Sequence, residues 1–120
     1  MKILLLTLML LIPQQPLEPT RVSITLLDEN PNEYEQLLAE SVRQELRQLR
    51  SAIITTRQGD LNVFIAATTI PDGCSDYAAT FLVIRGDKSK PWLIILAGKR
   101  LQPMAKEFVK KLEREFIAKR

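Results

Sequence analysis

The residues able to do chemistry are few, and the densest group is one short segment, Asp72-Gly73-Cys74-Ser75-Asp76. It carries the only cysteine of the chain and two carboxylates on either side of a glycine. Oxygen ligands so placed suit a calcium ion, but the acidic density and distal glutamate of an EF-hand loop are missing, and the residue types read as a hairpin turn. The chain has no histidine, which removes Ser-His-Asp and Cys-His catalysis together with the commonest metal ligand. Nucleophilic chemistry would rest on Cys74 or a serine with a lysine as base, and no motif marks either pair. Asp28 and Glu29 are accounted for by a turn into a helix and not by acid-base work. Gly59, Gly73, Gly86 and Gly98 stand singly, so there is no glycine-rich phosphate loop. The expectation is a protein with no catalytic centre, no metal and no cofactor.

A single cysteine cannot close a disulfide within its own chain. Cys74 is therefore a free thiol, a buried small residue or half of an intermolecular bond. Charge is uneven: the net +3 is composed of +5 from Lys99 to Arg120 and −2 over the rest. Within this basic pole, Lys106, Lys110, Lys111 and Arg114 form a candidate contact face for an anionic membrane surface or an acidic protein. The bland alternative is a solvated helix face.

The amino-terminal residues bear on where such a protein works. Met1 to Ile12 holds one lysine and then the apolar run ILLLTLMLLI, followed by Pro13. That run fits the core of a secretory signal, about 7 to 15 residues, and falls short of the roughly 20 that a membrane-spanning helix needs. No small-x-small cleavage triplet follows it; a buried strand or an uncleaved anchor is the alternative. The expected location is outside the cytoplasm, periplasmic or extracellular, where nucleic acid is seldom met. Pro13 to Thr20 reads as an extended tether. Residues 1–19 are thus signal and tether, and residues 20–120 one α/β domain.

The elements of that domain follow from periodicity. RVSITLL alternates, with Val22, Ile24 and Leu26 on one face, as in a strand covered on one side. Asn30 is placed to cap a helix, with Pro31 first and Glu33 reaching back. Tyr34, Leu37, Leu38, Val42, Leu46 and Leu49 then recur at helical spacing to about Arg50. Four β-rich runs follow, SAIITT, LNVFIAATTI, DYAATFLVIR and WLIILA, separated by turn residues and expected to form an antiparallel meander. WLIILA is apolar on both faces, which implies a central strand or a second surface covered by a helix or partner. Pro103 opens a last helix with the stripe Met104, Phe108, Leu112 and Phe116.

The order β-α-β-β-β-β-α makes an α+β two-layer sandwich, a mixed five-stranded sheet with both helices on one face. The helix between the first two strands makes them parallel neighbours.

This layout, with a strand RVSITLLDEN, a helix YEQLLAESVRQELRQL, a sheet and a closing helix, resembles small bacterial envelope domains: the amino-terminal domain of TolB and CsgG-like and LpoB-like domains. The likeness spans Arg21 to Arg120 and is one of layout; the second helix usual between early strands is absent. It implies a non-catalytic interaction role, and no binding residue carries over. The expected function is an exported adaptor or accessory domain of the bacterial envelope, partnered by another envelope protein or by itself. A carrier or sensor of a small apolar ligand is the alternative, and a hydrolase or transferase the least favoured. An exposed apolar patch larger than roughly a few hundred Å² on the sheet would favour the first, an enclosed apolar cavity the second.

Overall fold

A computed structural model describes residues 18–69, 77–86 and 90–117. Cys74, with the rest of the Asp72 to Asp76 segment, and the amino-terminal apolar run lie outside the described residues. The elements are β1 (Thr20–Leu26), α1 (Glu33–Arg47), β2 (Ala52–Thr55), β3 (Leu61–Thr69), β4 (Tyr77–Arg85), β5 (Trp92–Gly98) and α2 (Leu101–Leu112). A π-helical turn, Glu113–Ile117, continues α2.

The architecture is the α+β two-layer sandwich, with a mixed sheet in the order β2-β1-β3-β4-β5 and both helices packed on one face. Alternation along β1 turns Val22, Ile24 and Leu26 toward the helices. Val63, Ile65, Phe81 and Val83 join them from the central strands, and Leu38, Val42, Leu46, Phe108 and Leu112 descend from the helices. Phe81 and Phe108 stack with ring centroids 4.0 Å apart, closing the space between the layers. Each such side chain contributes about 1.5–3 kcal/mol by leaving water, so the core alone accounts for the helices' position.

The expected four-stranded meander is corrected at its first connection. β3, β4 and β5 are antiparallel neighbours, but β2 does not pair with β3. β1 lies between them and is parallel to both: Ser23 faces Thr55 on one side, and Val22 faces Leu61 on the other. Thr56 to Asp60 therefore crosses β1 instead of reversing the chain. A hairpin there would have left one edge of β1 without backbone partners, whereas insertion satisfies both.

The start of α1 is also shifted from the expected register. Asn32 is the cap, not Asn30, and Glu35 is the reciprocal partner, not Glu33. Both pairs have capping-box spacing, and tertiary contact selects the second. Asn32 Nδ2 donates to Ala67 O (3.0 Å), and Ala67 N donates to Glu35 Oε2 (3.3 Å), so the box grips both backbone groups of one residue in β3. Glu35 is consequently fully buried, while Leu37, expected in the stripe, is exposed. Pro103 is the third residue of α2, still among the amides that a helix start leaves unpaired.

Candidate functional site

The sheet face away from the helices is open among the described residues, and its two halves differ in chemistry. Over β1 and the crossing segment it is polar. Over β4 and β5 it is apolar.

The polar half is organised by Gly59. A Cβ at that position would lie 2.6 Å from Arg21 O, so only glycine lets the crossing segment rest on the β1 backbone. Asn62 holds it there: Gly59 N donates to Asn62 Oδ1 (3.0 Å), and Asn62 Nδ2 donates to Gly59 O (3.2 Å). Arg21 N donates to Asp60 Oδ2 at 3.0 Å, which ties the same segment to β1. Beside it opens a recess of 320 Å³, lined by hydroxyls of Ser23, Thr25 and Thr56, the Arg57 and Gln58 side chains, and walls from Phe64 and Ile84. Ser23 Oγ donates to Asn62 Oδ1 at 2.7 Å in this buried corner. An amide oxygen takes no proton at neutral pH, and among the described residues no lysine or carboxylate lines the recess to act as a base for Ser23. The arrangement offers a cluster of hydrogen-bonding groups.

The apolar half follows from register. Phe64, Leu82 and Leu93 stand abreast on β3, β4 and β5, and Ala66, Thr80 and Ile95 form the next row. Leu93 is 58% exposed, Ile95 65% and Ile84 37%. With half-buried Phe64 and Leu82 they make a contiguous surface on the order of a few hundred Å², about the largest apolar patch that monomers commonly expose and often a functional one. β5 is the outermost strand of the sheet as described, so the expectation of a central position is corrected. Neither of the described helices covers the second face, because both pack on the other side.

The predicted basic face lies at the opposite side of the molecule. Lys106, Lys110 and Arg114 are exposed on the solvent side of α2 and its π-helical continuation, and Lys111 is half-buried on the flank. Lys106 also borders a groove of 400 Å³ between the helices, shared with Arg100, Gln102, Pro103 and Glu45. The structure thus brings the basic residues onto one helix face but does not bring them to the apolar surface.

Among the described residues, no group of three or more histidine, cysteine, aspartate or glutamate side chains could hold a metal ion. No described helix is long and apolar enough to cross a membrane. The recess was not legible in sequence, because Ser23, Arg57 and Asn62 meet only through the parallel insertion of β1. The apolar surface had a signal in the two-faced apolarity of WLIILA. No family model matches the chain, and comparison with curated proteins finds no relative.

Proposed function

We propose that this chain is a non-catalytic protein-interaction domain, an exported adaptor or accessory component of the bacterial cell envelope, which meets its partner through the apolar half of the open sheet face. The observation that carries this reading is the pair Leu93 and Ile95, large apolar side chains more than half exposed on the outermost described strand, over which neither described helix lies. Such residues on a monomer weaken solubility and are retained where a partner covers them. The carrier alternative is less favoured, since Phe81, Phe108, Leu38 and Leu112 fill the space between sheet and helices that a ligand would need. The basic side of α2 faces the other way. It is free to rest against an anionic membrane surface while the sheet holds a protein.

The test is site-directed photocrosslinking in the source cell, with the reactive group at Ile95 or, for comparison, at Lys110. A discrete protein adduct at Ile95 that is absent at Lys110 and abolished by Leu93→Lys supports the reading. Equal adducts at both positions, or none at Ile95, would refute it. Recovery of the chain in the periplasmic or extracellular fraction tests the export half, and cytoplasmic retention refutes that half alone.

A further inference from the structure

The outer edge of β5 has the features of a strand acceptor. Its seven residues pair without interruption to β4, from Tyr77 opposite Gly98 to Val83 opposite Trp92. In such a ladder half the backbone groups of an outer strand point away from the sheet. Among the described residues no strand pairs with that side. Natural edge strands are blunted by charge, proline, a bulge or brevity. Trp92–Gly98 has no charge, no proline and no break in register. The opposite edge shows the contrast: β2 has four residues and stands between Arg50 and Arg57.

Charge indicates what the occupant is. None of the five strands contains an aspartate or glutamate. β5 is bracketed by exposed Lys90 on one side and by exposed Lys99 and Arg100 on the other, Arg100 also bordering the groove with Glu45. A second copy of this chain fits poorly. Full-length antiparallel self-pairing centres on Ile95 and sets Lys90 of each copy against the Lys99 and Arg100 end of the other, and like charges directly opposite are destabilising.

We infer that the β5 edge takes an added strand from a different protein, an extended uncharged segment of alternating apolar residues with carboxylates at both ends. This rests on the protein-contact reading above and specifies its mode. The added backbone would complete the ladder, its side chains on one face would abut Leu93 and Ile95, and those on the other would abut half-buried Ile94 and Leu96. Its terminal carboxylates would meet Lys90 and Lys99, about 30 Å apart along an extended strand.

The full chain tests this with synthetic peptides, because its single tryptophan, Trp92, starts the acceptor strand and reports on it by fluorescence. The probe has seven alternating valines and threonines with two glutamates at each end. A second peptide replaces the glutamates with lysines, and a third keeps them but carries N-methyl groups on alternate amides. The glutamate peptide is expected to bind about tenfold tighter than the lysine peptide, an advantage that shrinks with salt because exposed ion pairs are individually weak. It should slow hydrogen exchange of alternate β5 amides, and N-methylation should abolish binding. The double variant Lys90→Glu, Lys99→Glu should reverse the preference between the charged peptides.

Failure of the glutamate peptide to bind, equal binding of all three, or binding without protection of β5 overturns strand addition. So does concentration-dependent β5 protection without peptide, which would make the occupant a second copy, or β5 protection by anionic vesicles alone. A protein adduct at Ile95 with any of these results leaves the protein-contact reading standing and removes only its mode.

Discussion

Glu35 offers the sharpest test of how this fold is held. Its side chain is fully buried, with Oε1 accepting from Asn32 N at 3.0 Å and Oε2 accepting from Ala67 N at 3.3 Å. In Glu35→Gln one oxygen becomes an amide that can only donate. One of the two N–H groups then loses its acceptor and faces another donor. A hydrogen bond to a charged group contributes about 1.5–3 kcal/mol, and an orphaned buried donor costs a similar amount. Removing a buried carboxylate returns part of this, because its desolvation no longer opposes folding. The expected net loss is about 2 kcal/mol. In a domain of roughly 100 residues, 1 kcal/mol moves the midpoint by about 4–8 °C, so the melting temperature should fall by about 10 °C. Circular dichroism melts of Glu35→Gln and Asn32→Ala, beside Glu33→Gln and Asn30→Ala, read this directly. Loss of the Asn32 cap should cost at least about 1 kcal/mol, since its bond to Ala67 O goes too. The variants at Asn30 and Glu33, both exposed, should stay within about 0.5 kcal/mol of the parent. A Glu35→Gln melt within about 2 °C of the parent, or a larger loss from the Asn30 and Glu33 pair, would refute the assignment of the cap.

Gly59→Ala should destabilise by about 1–3 kcal/mol, because the new Cβ meets backbone rather than a movable side chain. Urea unfolding measures it, and a change under about 0.5 kcal/mol would show that the crossing segment does not rest on β1 as described. Phe116 packs edge-on against Trp92, centroids 5.3 Å apart, with the Arg85 guanidinium 5.9 Å from its ring centroid. Phe116→Ala should therefore red-shift Trp92 emission and lower stability by about 1–3 kcal/mol; an unchanged emission maximum would show that the π-helical turn does not cover β5's inner face.

The sequence determined the element inventory, because the signals behind it are local. The period of two in RVSITLL and the recurrence of Leu38, Val42 and Leu46 depend only on backbone geometry and on which face must leave water. Order, number and type of elements, and the sandwich class, could be read from them. Partner choice is not local. That β1 lies between β2 and β3 depends on satisfying both of its edges and on Gly59 fitting against Arg21, a contact between residues far apart in the chain. The same holds for the cap: two Asn-x-x-Glu pairs are equivalent along the chain, and only Ala67 of β3 distinguishes them. It holds as well for the candidate site. WLIILA announced a strand with two apolar faces, but whether its second face meets a helix, a neighbouring strand or water is set by sheet order. Among the described residues, tertiary structure placed that strand at the edge, and so turned an apolar pattern into an exposed surface.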